Sequence, residues 1–184
     1  MPNWFVGLPV DAGAWFAQLP PSPPGVRCFH PDDLHATIAF FGPVDEAAAR
    51  RGFEALAWEL GALDVTLGEV VPMGSSRRPS AYSAVLGEGR EAVEAAMGPA
   101  RERACAAAGV EPDRRPPEAH VTIARPAKSA SEQERRAGLR WASALELGAP
   151  RVRLGRVALY GWALDRRLGP LFRIVAETEL APAR

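Results

Sequence analysis

The sequence has no excess of charge, no long hydrophobic run and few cysteines. Its 22 lysines and arginines balance 22 aspartates and glutamates, which gives a formal net charge of 0. This balance excludes histone-like and tail-like nucleic-acid binders, because such proteins hold phosphate through a large cationic surplus. No apolar run approaches the roughly 20 residues that a membrane-spanning helix needs, and the first residues lack the basic and apolar regions of a signal peptide. We therefore expect a soluble, cytoplasmic protein.

Cysteine is too scarce to build a cross-linked or metal-bound scaffold. Cys28 and Cys105 are the only two cysteines, and neither belongs to a Cys-x-x-Cys or Cys/His cluster. We expect both as reduced, mostly buried thiols, without a disulfide framework or a zinc ribbon. The composition is otherwise globular, with 47% hydrophobic and 24% charged residues among 184. Such a chain predicts a single domain spanning residues 1–184.

The hydrophobic pattern alternates between the period of strands and the period of helices. Seven or eight strands are predicted, within residues 3–8, 26–29, 34–41, 63–71, 81–86, 120–124, 152–162 and 171–180. Three or four helices are predicted, within residues 11–19, 45–61, 90–108 and 129–145. We expect Asp11 to cap the first of these helices and Gly61 to end the second. This mixed order favours an α+β fold with mostly antiparallel pairing over a doubly wound parallel sheet.

Two of the three histidines lie in nearly identical contexts. His35-Ala36-Thr37 and His120-Val121-Thr122 both continue with Ile-Ala, so the shared string is H-x-T-I-A. The chain has only four threonines, and chance alone rarely sets two of them at the same distance from a histidine. The third histidine, His30, precedes a proline in a predicted loop, and we expect it to be solvent-exposed and non-catalytic.

The spacing within this string has a physical meaning. Side chains alternate faces along a strand, so the histidine and the threonine of each copy share one face. A histidine titrates near neutral pH, and two of them on opposite sides of a phosphoryl group can deprotonate the attacking oxygen and protonate the leaving one. This chemistry needs no metal ion. A zinc site is also disfavoured, because each string offers only one metal ligand.

These residues resemble the 2H phosphoesterases, a family named for two H-x-T motifs, and within it the RNA 2′,3′-cyclic phosphodiesterase (2′-5′ RNA ligase-like) branch. The resemblance covers nearly the whole chain and includes six segments: Phe5–Pro9, Val26–His35, Phe40–Gly42, Arg77–Pro79, His120–Arg125 and Leu159-Tyr160. It implies a bilobal fold, in which two pseudo-symmetric lobes each carry an antiparallel sheet beside a central cleft.

The resemblance also implies a reaction and a role for each site residue. His35 would donate a proton to the leaving 3′ oxygen, and His120 would accept one from the attacking water. Thr37 and Thr122 would bind the non-bridging oxygens, and Arg125 would stabilise negative charge. The implied activity is metal- and cofactor-independent hydrolysis of 2′,3′-cyclic phosphates to 2′-phosphates, with weak reverse 2′-5′ ligation. The implied partners are RNA 3′ ends or nucleotides bearing a cyclic phosphate, and we expect a monomer without membrane contact.

Several positions depart from the RNA-processing members of this family. Cys28 stands where those members carry Trp, Ala39 where they carry Lys, and Pro117 and Ala119 where they carry an aromatic residue and a proline. The substrate therefore stays open between an RNA end, a small cyclic nucleotide and another cyclic phosphate. Two alternatives also stay open: another 2H activity, such as cleavage of 2′-5′ oligonucleotides or small cyclic phosphates, and a non-catalytic RNA- or nucleotide-binding module.

Three further features have weaker expectations. A local basic patch is expected from Arg77, Arg78, Arg114, Arg115 and Arg125, with Arg77 and Arg78 at a hairpin tip. Residues 129–145 are charged enough to form an exposed helix or a flap over the site. Tyr82 and Trp162 are the aromatic residues that we would test first as platforms for base stacking.

Overall fold

The computed structural model describes residues 2–75, 78–163 and 169–182. Nine strands are described: β1 (Trp4–Pro9), β2 (Val26–Cys28), β3 (His35–Gly42), β4 (Leu63–Gly74), β5 (Pro79–Leu86), β6 (His120–Pro126), β7 (Arg151–Leu154), β8 (Arg156–Trp162) and β9 (Phe172–Glu179). Four α-helices are described: α1 (Gly13–Ala17), α2 (Glu46–Glu54), α3 (Arg90–Ala108) and α4 (Glu132–Ser143). A short 3-10 turn at Pro31–Asp33 leads directly into β3.

The strands join into one continuous sheet. Their order is β7-β4-β5-β6-β3-β1-β8-β9, and β2 pairs with the other end of β6. Every pairing between these strands is antiparallel, so the predicted α+β class is confirmed. The sheet has two halves, β7-β4-β5-β6 and β3-β1-β8-β9, which meet where β3 pairs with β6.

The predicted strand at residues 152–162 is two strands in the structure. The strand is interrupted at Gly155, the single residue between the end of β7 and the start of β8. β7 pairs with β4 in one half of the sheet, whereas β8 pairs with β1 and β9 in the other. The glycine therefore marks the point at which the chain crosses between the halves, and this division accounts for nine strands instead of seven or eight.

Two helix predictions are wrong in detail. Ala12 precedes α1 without any side-chain cap, and Asp11 instead accepts the indole N–H of Trp15 through its backbone carbonyl. α2 begins as predicted, because the carboxylate of Asp45 accepts the N–H of Ala48 at 2.7 Å. It ends at Glu54 instead of reaching residue 61, since the chain turns at Ala57, which has a φ of 48°.

The core lies between the sheet and the helices. α2 and α3 pack on each other, and α3 packs on β3. Cys105 of α3 is buried as expected, but Cys28 is exposed on β2, so the prediction that both thiols are buried holds for only one. Among the described residues, we find no helix that has the length and apolar character to cross a membrane.

Candidate active site

The two H-x-T motifs lie side by side where the halves of the sheet meet. Strands β3 and β6 pair at Ala36 and Val121, the middle residues of the two motifs. In an antiparallel pair, this register sets His35 opposite Thr122 and Thr37 opposite His120. All four polar side chains then project from the same face, while Ala36 and Val121 are buried on the other. The structure thus brings together the four motif residues that the sequence singled out.

Both imidazoles are held in the same way. Nδ1 of His35 lies 2.6 Å from the carbonyl oxygen of Asp33, and Nδ1 of His120 lies 2.7 Å from that of Glu118. Each partner carbonyl stands two residues before its histidine. Because a carbonyl oxygen can only accept, Nδ1 carries the proton in both rings. In the neutral form of each ring, Nε2 is therefore left to accept a proton from a bound molecule.

Aromatic rings enclose His35. Its ring centroid lies 4.6 Å from that of Phe5, 5.0 Å from that of Tyr160 and 5.5 Å from that of Phe172. Gly7 of β1 allows this close packing, because a Cβ atom at that position would lie only 2.8 Å from the Ala36 carbonyl oxygen and 3.3 Å from Cδ2 of His35. The imidazole is thereby fixed in one orientation.

This enclosure changes the titration of His35. Burial lowers its pKa to about 4, because the charged form loses its hydration. The positive charges of Arg125 and His120 act in the same direction. His35 is therefore neutral at pH 7 in the free protein. His120 is half-buried and lies at the more open end of the site.

Asp33 positions His35 and a neighbouring strand together. Its backbone carbonyl accepts the Nδ1 proton of His35, and its fully buried carboxylate accepts the N–H groups of Leu171 and Phe172 at 2.8 and 3.0 Å. Burial raises the pKa of Asp33, although these two N–H bonds oppose that shift. Asp33 thus fixes the start of β9, from which Phe172 contacts His35. The sequence pattern did not indicate this role, since the contact is with a strand far along the chain.

Ser83 of β5 is a second residue that the sequence did not indicate. Its hydroxyl lies 3.1 Å from the hydroxyl of Thr122, and both side chains are buried. When Ser83 donates this hydrogen bond, the proton of Thr122 remains free to donate to a bound oxygen. No short motif surrounds Ser83, and only its register opposite Thr122 brings it to the site.

A β-bulge follows the threonine in each motif. Between β1 and β3 the register skips Ile38, and between β5 and β6 it skips Ile123. Ile38 and Ala39 are both buried in succession, as are Ile123 and Ala124. A bulge adds one residue and so reverses the alternation of faces beyond it. The shared Ile-Ala of the two motifs is therefore the sequence of the bulge.

The bulges turn one further residue of each strand towards the site. On β3 this residue is Phe40, whose side chain is 56% exposed. On β6 it is Arg125, which lies over the ring of Phe29 at 5.2 Å and acts electrostatically on His35. Strict alternation from Thr122 would have turned Arg125 to the opposite face. Arg125 therefore joins the site for a reason that its spacing in the sequence did not reveal.

A cavity of about 260 Å³ opens beside the motifs. Its walls include Thr37, Phe40, Met73, Arg115, Glu118 and His120. Arg101 of α3 also lines it, and its Nε donates to the carbonyl oxygen of Ile38 at 3.1 Å. The cavity therefore has an aromatic wall, a titratable imidazole and a hydroxyl group in one small volume. Among the residues that the structure describes, no group of three or more His, Cys, Asp or Glu could hold a metal ion.

The other arginines of the predicted basic patch do not form a free cationic surface among the described residues. Arg77 lies outside the described residues, and Arg78 is exposed. Arg114 and Arg115 precede β6, and both guanidinium groups face acidic neighbours, so they offer less free positive charge than expected. In the segment 129–145, a capping box between Ser131 and Glu134 starts α4.

The two aromatic residues proposed for base stacking differ in exposure. Tyr82 is fully buried, because α4 covers it with Gly138 against its hydroxyl, and it cannot stack a base there. Trp162 is half-buried and packs on Phe172 with ring centroids 5.2 Å apart. Trp162 therefore lies close to the rings around His35, whereas the prediction for Tyr82 is wrong.

Comparison with known proteins identifies the fold. No protein-family model and no curated protein matches the sequence. Escherichia coli LigT in complex with 3′-AMP is similar over 98% of this chain and 99% of that one, with 20% identity and a TM-score of 0.65. A crystal structure of a phosphoesterase has a TM-score of 0.68 and 18% identity, over 98% of this chain and 99% of that one. TT0787 of Thermus thermophilus is similar over 97% of each chain, at 18% identity and a TM-score of 0.65. These relatives have the 2H phosphoesterase fold, so the α+β fold class that the resemblance implied is confirmed. The two sheets expected from the resemblance are the two halves of one continuous sheet in this structure.

Proposed function

We propose that this chain is a metal-independent 2′,3′-cyclic phosphodiesterase, which hydrolyses the cyclic phosphate of RNA ends or nucleotides to a 2′-phosphomonoester. The observation that carries the proposal is the pairing of Ala36 with Val121, because it sets both imidazoles and both threonines on one face of the sheet. Two imidazoles with protonated Nδ1 and available Nε2 are suited to opposite steps of one proton-transfer reaction.

The proposed reaction is an in-line displacement at phosphorus. Nε2 of His120 accepts a proton from water as the water oxygen forms its bond to phosphorus. Nε2 of His35 gives a proton to the 3′ oxygen as the bond between that oxygen and phosphorus breaks. The product is a 2′-phosphate with a free 3′ hydroxyl, and a proton exchange with solvent restores the two rings. The same steps with the 5′ hydroxyl of a second RNA strand in place of water form a bond from that oxygen to phosphorus as the bond to the 3′ oxygen breaks, and the product is a 2′-5′ linkage.

The threonines and Arg125 would stabilise the charge on the phosphoryl oxygens. Each threonine stands opposite the histidine of the other motif, so one hydroxyl flanks each proton-transfer step. Ser83 supports this role for Thr122 by leaving its proton free to donate. Arg125 supplies a guanidinium close enough to affect His35, and such a group binds phosphate oxygens strongly.

The lowered pKa of His35 adds a requirement to this mechanism. A proton donor must be protonated when the leaving oxygen departs, yet His35 is neutral at pH 7 without substrate. A cyclic phosphate brings a negative charge beside the ring, which favours the imidazolium. We therefore expect substrate binding to protonate His35. The reverse assignment, with His35 as base and His120 as acid, uses the same two positions. The two assignments are distinguished by which ring gains a proton when the substrate binds.

The cavity beside His120 supports a nucleotide as substrate. Phe40 is an exposed aromatic ring on the wall of this cavity, and a base can stack on such a ring. LigT of E. coli, which shares the fold, has been solved with 3′-AMP and with phosphate. The phosphate of 3′-AMP is attached to one of the two ribose oxygens that a 2′,3′-cyclic phosphate joins, so 3′-AMP resembles the proposed substrate, although the proposed product carries its phosphate on the 2′ oxygen.

The test is hydrolysis of 2′,3′-cyclic AMP and of a short RNA with a 2′,3′-cyclic phosphate end, with EDTA present throughout. Separation of the 2′- and 3′-phosphate products identifies which bond breaks. We expect 2′-phosphate from at least one of the two substrates. Tight binding of both without any turnover would overturn the proposal in favour of a nucleotide-binding module. Turnover only of 2′-5′ linked oligonucleotides would favour another 2H activity.

A further inference from the structure

Two arginines face each other beside the proposed site. Arg27 of β2 pairs directly with Arg125 of β6. Directly opposite residues of an antiparallel pair project to the same face, with Cβ atoms roughly 5 Å apart. Because Arg125 acts on His35, Arg27 extends the positive surface outward from the proposed phosphate position by one strand.

Neither arginine is neutralised within the described part of the chain. No ion pair with a carboxylate involves either residue there, and the guanidinium of Arg125 lies over the uncharged ring of Phe29. Most other arginines with a described partner are paired with an acidic side chain, for example Arg153 with Asp64. Like charges placed directly opposite each other destabilise a sheet. A bound anion would remove that repulsion.

The possible substrates differ in how many negative charges they place beside the two arginines. A 2′,3′-cyclic phosphate carries one negative charge, and Arg125 together with one protonated imidazole already more than offsets it. A cyclic mononucleotide has no second phosphate. In an oligonucleotide, the phosphodiester before the terminal nucleotide supplies a second negative charge next to the first.

We infer that Arg27 binds the phosphodiester that precedes the cyclic end, and that the chain therefore prefers RNA ends to cyclic mononucleotides. This inference rests on the proposed function, since it assigns a substrate class to the same site. A guanidinium suits this contact, because it binds phosphate oxygens through two parallel N–H groups. Arg27 is exposed, so it reaches an extended strand without any rearrangement of the core.

The experiment compares 2′,3′-cyclic AMP with a trinucleotide that ends in the same cyclic nucleotide. For Arg27→Ala we expect KM for the trinucleotide to rise roughly ten- to a hundredfold, as for loss of a charged hydrogen bond, with little change for cyclic AMP. The logarithm of the trinucleotide affinity falls with the logarithm of the salt concentration. In Arg27→Ala this slope should become less steep by roughly 0.7, the contribution of one phosphate contact. Arg27→Lys should restore part of the difference, because it keeps the charge but not the paired N–H groups.

Arg153→Ala is the matched control, since it removes one positive charge from β7, at the far edge of the sheet. It should leave the ratio of the two KM values unchanged. Equal losses on both substrates in Arg27→Ala would overturn the inference, because Arg27 would then contact the cyclic phosphate itself. No loss on either substrate in Arg27→Ala would overturn the inference as well.

Binding measurements keep this test separate from the proposed function. If the wild-type protein turns over neither substrate, the proposed function fails. Dissociation constants for 3′-AMP and for a trinucleotide with a 3′-phosphate then decide the role of Arg27. A selective loss of trinucleotide binding in Arg27→Ala supports the contact, and an equal or absent loss contradicts it.

Discussion

Ala36 of β3 lies directly opposite Val121 of β6, and both side chains are fully buried. Their burial on the core face turns the flanking residues of both strands to the other face. Histidine of one motif therefore stands opposite threonine of the other. A slip of one residue would turn one motif towards the core, because strand side chains alternate with a period of two. Small apolar residues at this pair thus maintain the register on which the site depends.

Removal of either motif histidine should strongly lower turnover without unfolding the protein. We expect His35→Ala and His120→Ala each to lower kcat roughly 10²- to 10⁴-fold, the contribution of a general acid or base. His30→Ala is the control, because His30 is exposed and belongs to neither motif. The measurement is hydrolysis of 2′,3′-cyclic AMP in EDTA, with circular dichroism to check the fold. Activity that survives in both motif variants would contradict the mechanism.

The neutral state of His35 should appear as a loss of stability in acid. Its pKa is about 4 in the folded protein, against an ordinary value of 6.5. Between these values only the unfolded chain binds the extra proton, so the free energy of unfolding falls as the pH drops below 6.5. The contribution of neutral His35 to the free energy of unfolding is fully present above pH 6.5, and its loss reaches about 3 kcal/mol near pH 4.

Urea titrations at several pH values measure this effect. In His35→Gln, the free energy of unfolding should lack the fall below pH 6.5 that His35 causes in the wild type, because glutamine does not titrate. Subtraction of the variant's curve removes the contribution of carboxylates that protonate in the same range. Identical pH dependence in the two proteins would mean that His35 is not held neutral by burial.

Binding of an anion should raise the pKa of His35. The expected cause is the negative charge that a phosphate brings beside the ring, which stabilises the imidazolium. The measurement is an NMR titration of the imidazole resonances, first for the free protein and then in saturating 3′-AMP. His30 serves as an internal comparison, since it belongs to neither motif and its imidazole accepts the N–H of Asp32. A rise confined to His120 would reverse the proposed roles of the two motif histidines.

Asp33→Asn should impair catalysis through the position of His35. The amide can accept only one of the two N–H groups of Leu171 and Phe172, and its NH₂ group opposes the other. We expect a loss of about 1–3 kcal/mol in the free energy of unfolding. We also expect a roughly ten- to a hundredfold fall in kcat, because small displacements of a reacting group are costly.

Asp32→Asn provides the control for Asp33, since Asp32 is an exposed neighbour. The distinguishing readout is the NMR titration of His35, whose pKa should move when Phe172 shifts away from its ring. A variant that is destabilised but keeps the His35 titration and kcat would show that Asp33 is only structural.

Phe40→Ala should weaken nucleotide binding while leaving the chemical step intact. Loss of a stacked base costs about 1–3 kcal/mol, so KM for 2′,3′-cyclic AMP should rise roughly tenfold or more with kcat little changed. Phe40→Tyr should retain the affinity. Ile174→Ala removes the other large hydrophobic side chain that is exposed among the described residues, and it should have no effect. A fall in kcat with constant KM would instead assign Phe40 to the positioning of the reacting groups.

Much of this architecture could be predicted from local patterns. The period of the hydrophobic residues identified the strands that carry the motifs, and the carboxylate of Asp45 marked the start of α2. Patterns failed where a distant element decided the outcome. Tyr82 resembles an available aromatic residue in sequence, but α4 folds over it. Asp33 resembles a turn residue, but its carboxylate binds the start of β9.

The sequence by itself determined which polar residues share a face within each motif, because a strand's alternation of faces sets His35 beside Thr37 and His120 beside Thr122. Only the tertiary structure decided how the two motifs meet and what joins them. Strand register depends on the packing of side chains from distant parts of the chain, which a local pattern does not contain. The bulges at Ile38 and Ile123 arise from the same pairing, and they turn Phe40 and Arg125 towards the site against the simple alternation of each strand.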